Sequence, residues 1–582
     1  MGLIKSIAKL SAFLVALFAF VIYYKFIRTI PGPVVQLEDG KIQGIKLTSR
    51  NGQEYLAYLS IPYAQPPVGR LRFMGPVPAE KWDGILDASK FGEMCAQFDY
   101  LVLGIKLGSE DCLYLNVYVP EKIPIGEKLP VIFYIHGGYF MFGSSHLAGA
   151  NYFLDHKVIL VTIHYRLGAL GFLSSGDGVI RGNAGLKDQN LALKWVQRNI
   201  DAFKGDKTKV TIIGESAGAA SVHYHMLSPL SKGLFSRAIR ESASALDYWT
   251  LYRNNKEQAA RFAKKFNCPT DNSNKMAECL QSLDVHTLLD GHKDMQEFTT
   301  PLIGKFVPSI EVKADADAFL TEEPIVLLKS GRFNRVPFMT GFNHDEGLMH
   351  STSLWANQTI LDEADDWQNW APKAFHYNPK RTDISQKLRQ FYFGAQTKHL
   401  NSRDLIQNFT NLFGDRLFIV GVAQAALLER KFVPTYLYYY EHDGGFNLGT
   451  FLATSQAKIH PIVDLIAERL RYLYVTFLLG EEYRHDVPGT AHYDEFAMLY
   501  SGPLEYMYMT SKDVKMSIEM VKLWVDFATD QKPLKFRGIE VQPASDKGDV
   551  KYFHMTYDNP KMINEPITDR RLLWESFNLQ PE

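Results

Sequence analysis

Cysteine is scarce in this chain, with 4 among 582 residues: Cys95, Cys112, Cys268 and Cys279. No pair of them has the spacing of metal ligands, so no zinc- or cluster-nucleated fold is expected and no metal is called for. They fall instead into two local pairs. In an oxidising compartment the natural pairing is Cys95 with Cys112 and Cys268 with Cys279. Each bond closes a short loop, worth about 3 kcal/mol in the chain-entropy model. An excess of charge is also missing: the formal net charge is −1. With no basic cluster, nucleic acid is excluded as the expected partner. Linkers are absent as well. No Ser/Gly/Pro-rich stretch, charge block or repeat divides the chain, although its length alone would suggest roughly four domains. One large domain over residues 31–582 is the expectation.

Long uncharged apolar runs are limited to one, Leu10–Tyr24 (LSAFLVALFAFVIYY), flanked by Lys5 and Lys9 before it and Lys25 and Arg28 after it. Residues 1–30 therefore read as a secretory signal or an uncleaved signal-anchor. Leu14 and Leu17 stand two residues upstream of Ala16 and Ala19, where a cleavage site needs small residues, so the anchor is favoured. The run is short for a full span, but the flanking lysines extend it by snorkelling. Membrane contact is expected through this segment if it is uncleaved. Two sequons, Asn357-Gln358-Thr359 and Asn408-Phe409-Thr410, are candidate glycosylation sites in an exported chain.

What is present is a strand–helix grammar. Val131–Ile135, Val158–Ile163 and Val210–Ile213 are continuous β-rich runs, as expected for central strands covered on both faces. Between the last two, Ala184–Phe203 carries Leu193, Val196 and Ile200 at helical spacing. Strand, helix, strand in that order implies a parallel sheet. Val336–Thr340 and Thr435–Tyr440 read as later strands, and the stretch from about Ser353 to Phe432 as helical and outside the sheet. Directly after Val210–Ile213 comes Gly214-Glu215-Ser216-Ala217-Gly218, followed by the helix-like Ala219-Ala220. Gly-x-Ser-x-Gly between strand and helix is the nucleophile elbow of an α/β-hydrolase. The predicted fold is thus a large, mostly parallel sheet covered by helices.

A serine hydroxyl needs an adjacent base, and the base needs a carboxylate to hold its tautomer. In this fold the chain order is Ser, then Asp or Glu, then His. Asp345 and Glu346 both follow the strand Val336–Thr340 and are equally good by order. His442, His460, His485 and His492 all follow Thr435–Tyr440, with His442 close enough to the strand to be a cap. Oxyanion stabilisation needs backbone N–H donors from the residue after the nucleophile and from an earlier Gly-rich turn. Ala217 and the turn His136-Gly137-Gly138 fill those places.

Four blocks in order carry a wider resemblance: Glu110–Tyr118 (EDCLYLNVY), Tyr165–Phe172 (YRLGALGF), Gly182–Gln189 (GNAGLKDQ) and the elbow. The chain resembles the type-B carboxylesterases, the family that includes the cholinesterases, from about residue 31 to 580. Ser221–Ser228 (SVHYHMLS) is similar to arthropod carboxylesterases in particular. The resemblance implies a carboxylic-ester hydrolase acting on small-molecule esters without a cofactor. Its Gly-x-x-x-x-Glu-Gly motif, here Gly341–Gly347, implies Glu346 as the acid. Its Gly-x-x-His-x-[Asp/Glu] motif, here Gly489–Asp494, implies His492 as the base. By the same matching Gly138, Tyr139 and Ala217 are the oxyanion donors and Trp249 lines the acyl pocket. The two disulfides match two of the family's, and Glu215 and Ser242 stand near the triad. A non-catalytic binding protein on the same fold is the competing reading, but all three triad residues are retained.

Two departures matter. Tyr139 replaces the third glycine of the usual oxyanion turn. Its N–H still donates, but its side chain needs space and glycine's freedom of φ is lost, which predicts a reshaped turn and a smaller acyl pocket. The Cys95–Cys112 loop also contains no tryptophan, whereas cholinesterases use one there to hold a quaternary ammonium. Acetylcholine is not the expected substrate.

Overall fold

The computed structural model describes residues 30–99, 104–293, 306–312, 315–394, 398–442, 444–445, 447–449, 489–502 and 509–579. The apolar run Leu10–Tyr24 and two candidate bases, His460 and His485, lie outside the described residues.

A 13-stranded sheet organises the chain. Its strands in chain order begin with β1 (Ile30–Gln36), β2 (Lys41–Thr48), β3 (Glu54–Pro62), β4 (Ile85–Asp87), β5 (Tyr114–Pro120) and β6 (Leu129–Ile135). They continue with β7 (Ile159–Ile163), β8 (Gly205–Glu215), β9 (Arg237–Glu241), β10 (Phe338–Asn343), β11 (Thr435–Tyr440), β12 (Lys551–Met555) and β13 (Lys561–Asn564). In space the order is β1-β2-β3-β5-β7-β6-β8-β9-β10-β11-β12-β13, with β4 on β2. Every pairing from β7 through β12 is parallel, and the outer pairs β1–β2, β2–β3, β3–β5, β5–β7 and β12–β13 are antiparallel. The centre is parallel because helices lie between successive strands. Every residue of β7, β10 and β11 is buried, which is why these segments read as unbroken apolar runs rather than alternating ones.

The helices that matter for the site are α1 (Ala184–Asn199), α2 (Ala217–Leu227), α3 (Leu348–Ala356), α4 (Ile406–Gly414), α5 (Val420–Glu429) and α6 (Ser511–Ala528). The helix expected over Ala184–Phe203 ends as an α-helix at Asn199 and tightens into a 3₁₀ turn over Ile200–Phe203. The strand expected from Val336 starts at Phe338, since Pro337 has no N–H to give a ladder. The described residues between 353 and 432 are mostly helical, as expected. A π-helical turn, Asp415–Ile419, joins α4 to α5. The combined Ile406–Glu429 run is long and apolar enough to cross a membrane, but its most apolar window is 67% buried inside the protein.

Both disulfides are present, Cys95–Cys112 with Cα atoms 4.9 Å apart and Cys268–Cys279 with 5.7 Å. Of the two sequons, Asn357 is exposed and caps a short helix by accepting the N–H of Thr359. Asn408 is half-buried on α4 and donates its amide to the Tyr392 carbonyl at 2.6 Å, so a glycan there would first have to break that bond.

Candidate active site

Ser216 stands between the last residue of β8 and the first of α2. Its backbone adopts φ 57°, ψ −123°, a strained conformation costing about 1–3 kcal/mol. The surrounding structure enforces it: the Ser216 N–H donates to the Glu241 carbonyl at 2.8 Å, and its own carbonyl accepts from Ala220 at 2.9 Å. The elbow works only with glycine after the serine. A Cβ at Gly218 would lie 2.1 Å from the Ile135 carbonyl oxygen, so α2 could not pack against the end of β6.

The turn after β6 packs directly on this elbow. A Cβ at Gly137 would lie 2.6 Å from Glu215 Oε2 and 3.0 Å from Ser216 Cβ. Tyr139 and Phe140 follow with φ of 54° and 62°. The N–H groups of Gly138 and Tyr139 donate to no described residue, and that of Ala217 is the first orphan donor of α2. Three N–H groups are therefore available beside the serine.

Across the site, His492 Nδ1 lies 2.5 Å from Glu346 Oε2, both side chains buried. Glu346 is oriented from behind by the Asn343 N–H, which donates to Oε1 at 2.7 Å. This geometry distinguishes the two acids that chain order left equal. Asp345 instead fastens the two loops together: it accepts the Thr490 N–H at 3.0 Å and the Gln407 amide at 2.7 Å, and pairs with His344 at 2.8 Å. His442 is engaged elsewhere too, 2.8 Å from Asp513, which with Thr510 forms the capping box of α6. His492 Nε2 has no hydrogen-bond partner among the described residues, while Glu215 Oε1 lies 3.1 Å away, off the line a hydrogen bond needs.

Trp249 is buried, its indole N–H donating to the Leu417 carbonyl at 2.6 Å. Its ring packs 4.7 Å from that of Tyr139 and 6.0 Å from that of Phe418. Phe418 in turn stacks on His492 at 4.1 Å. The Tyr139 side chain is thus tucked into this aromatic wall, its hydroxyl 3.5 Å from His350 Nε2. Burial, and the neighbouring His492 after it, push His350 down to about 3. The imidazole facing Tyr139 is therefore neutral at ordinary pH.

Over residues 31–573 the chain matches the carboxylesterase family. It belongs to that family. It is 41% identical over 424 residues to a carboxylic ester hydrolase of Bombus ignitus, covering 70% of this chain and 75% of the relative. It is 35% identical over 508 residues to esterase E4 of Myzus persicae, covering 85% and 86%. It is 33% identical over 514 residues to a juvenile hormone esterase of Tribolium castaneum, covering 85% and 83%.

Several side chains at this candidate site had no signal in the sequence. Phe418 is one aromatic among many in a helical stretch. Asn343, which also donates its amide to the Ala491 carbonyl at 2.7 Å, precedes the acid without any motif of its own. Glu495 is buried beneath His492 and accepts from Ser242 Oγ at 2.8 Å and from the Asn343 amide. Burial first, then the charge of Glu346, raises Glu495 to about 7. Only its place three residues after His492 could have drawn attention to it.

Proposed function

We propose that this chain hydrolyses carboxylic esters through an acyl-enzyme, with Ser216 as nucleophile, His492 as base and Glu346 as the residue that orients it. What supports the reading most is the buried 2.5 Å pairing of His492 with Glu346 beside a strained serine elbow. A carboxylate at Nδ1 holds the proton there, so Nε2 is the basic nitrogen. It takes the proton of Ser216 Oγ as that oxygen attacks the ester carbonyl. The developing oxyanion is received by the N–H groups of Gly138, Tyr139 and Ala217, which need no reorganisation because they are already unpartnered. His492 then returns the proton to the leaving alcohol, and a water repeats the sequence to release the acid. None of these steps calls for a metal or an organic cofactor.

The acyl group is assigned to the side walled by Tyr139, Trp249 and Phe418. The substrates are apolar esters of xenobiotic, lipid or hormone-like character. The catalytic unit, residues 31–582, works in the secretory pathway or outside the cell, held at the membrane by residues 1–30 or released from it. Two short-loop disulfides suit that compartment.

The test is hydrolysis of 4-nitrophenyl acetate with parallel labelling by a fluorophosphonate. Stoichiometric labelling of the Ser216 peptide together with turnover is the expected result. Turnover without labelling at Ser216 would move the nucleophile elsewhere, and a folded protein without either activity would favour the binding-protein reading.

Tyr139 gives a second prediction. Because its ring occupies acyl-side space, kcat/KM should fall from acetyl to octanoyl esters of one phenol. Tyr139→Gly should raise the octanoyl-to-acetyl ratio at least about tenfold, since each methylene admitted to an apolar pocket is worth roughly 1–3 kcal/mol. An unchanged ratio would show that the ring lies outside the acyl path.

A further inference from the structure

Behind the serine elbow lies a second acidic side chain that the reaction as written does not use. Glu215 and Glu241 end adjacent parallel strands, β8 and β9, and are partners in the register, so their side chains leave the same face about 4.8 Å apart. Both are buried, at 1% and 0% exposure. Among the described residues no lysine or arginine forms an ion pair with either. Two carboxyl groups this close, without a cation, cannot both ionise.

Their hydrogen bonds differ. Glu241 Oε1 accepts the indole N–H of Trp524, on α6, at 2.5 Å, which favours charge on Glu241. Glu215 receives no such donor from a described side chain, and its Oε1 is unpartnered. The other titratable groups around the pair are Glu346, Glu495 and His492, and the phenols Tyr134, Tyr139, Tyr165, Tyr438 and Tyr500. Burial, and then Glu495, Glu241 and Glu346, push Glu215 well up. Burial and then Glu495 also push Glu241 well up, and the Trp524 indole opposes them only in part. Among the described residues the hydroxyls of Tyr438 and Tyr500 and Glu241 Oε2 have no partner, so no other described side chain neutralises the charge.

We propose that Glu241, with its charge steadied by Trp524, is a positioning residue that keeps Glu215 protonated and so leaves His492 free to act as a base. The consequence follows from the 3.1 Å between Glu215 Oε1 and His492 Nε2. An ionised Glu215 would hold His492 as an imidazolium, and an imidazolium cannot accept the serine proton. Glu241 acts on the reaction only through Glu215. This inference rests on the assignment of His492 as base under the proposed function.

The experiment is the pH profile of kcat/KM for 4-nitrophenyl acetate with the full chain, for the parent, Glu241→Gln, Trp524→Phe, Glu215→Gln and the Glu241→Gln/Glu215→Gln pair. In Glu241→Gln the neighbour that opposes charge on Glu215 is gone. Glu215 then ionises at lower pH, His492 holds its proton to higher pH, and the acid limb moves upward by about one pH unit. On that limb kcat/KM falls about tenfold. Trp524→Phe, which removes the donor but keeps an aromatic ring, should move the limb the same way by less. In the Glu215→Gln background Glu241→Gln should move it no further.

A limb that stays in place in Glu241→Gln, or a shift of equal size without Glu215, overturns the proposal. Reduced activity with an unmoved limb would mark Glu241 as purely structural and likewise overturns it. A parent protein without turnover would instead remove the triad reading on which the proposal stands.

Discussion

Ser216→Ala lowers kcat for 4-nitrophenyl acetate by about 10⁴- to 10⁶-fold, while the protein keeps its fold and its substrate affinity. On the proposed mechanism the loss is large because the alanine removes the atom that forms the acyl-enzyme, whereas the three N–H groups remain to polarise the carbonyl. The residual rate then reports what the oxyanion turn achieves by itself. His492→Ala should fall by a similar factor, and the Ser216→Ala/His492→Ala pair no further than either alone, since nucleophile and base act as one unit. The strained φ of 57° at residue 216 is unaffected by the change, because serine and alanine share the same Cβ. A multiplicative loss in the double variant would mean the two residues act independently and would count against the mechanism. The measurement is initial-rate kinetics of the three variants, with circular dichroism as the check on folding.

Glu429→Gln destabilises the protein by about 3–5 kcal/mol, the usual cost of leaving a buried charge without its partner. Glu429, on α5, and Arg240, on β9, are both 0% exposed. They meet in a two-pronged pair with nitrogen–oxygen distances of 3.2 and 2.7 Å. His223 Nε2 adds a third contact at 3.3 Å, and the guanidinium lies 4.2 Å over the Phe338 ring. Burial alone would raise the Glu429 carboxyl, but Arg240 and His223 outweigh it and leave it below the usual carboxylate range. A carboxyl lowered in the folded state stabilises above its unfolded value, near 4.3, and that contribution disappears as pH falls through the folded one. The penalty of Glu429→Gln should accordingly be full at pH 7 and shrink in acid. Replacing both residues by apolar ones, Arg240→Met with Glu429→Leu, should recover much of the loss, because no charge then remains buried. The urea midpoint of each variant at pH 7 and pH 4 is the measurement. A single variant as stable as the parent would show that Arg240 finds another partner.

The parts of this chain that are readable without a structure are those whose signal is local. A β-branched run followed by Gly-x-Ser-x-Gly and a helix announces the elbow, because only a sharp strand-to-helix turn requires glycines at both positions. The central strands were visible as unbroken apolar runs, although their ends differ: the first begins at Leu129, the second at Ile159, the third spans Gly205–Glu215, and the fourth starts after Pro337. The two disulfides were legible from spacing, since cysteines that close short loops have few alternatives. Tyr139 was visible as a departure in the oxyanion turn, although not where its ring would go.

What chain order left open was decided by contacts across hundreds of residues. Asp345 and Glu346 are neighbours with the same charge, and only the way the loop leaves β10 turns one toward His492 and the other toward Thr490 and Gln407. His442 and His492 both follow β11, yet α6 captures the first through Asp513 and leaves the second beneath Phe418. Phe418 itself reaches the site because a π-helical turn re-aims the chain between α4 and α5. The pairing of Glu215 with Glu241 arises from strand register alone, and nothing in either segment's sequence marks the two as neighbours. The sequence by itself determined the fold class and the serine elbow, because turn geometry and strand burial are imposed within a few residues. The family motifs pointed to Glu346 and His492, but the contact between them, and the register that sets Glu215 beside Glu241, arise only when the sheet brings distant strand ends together.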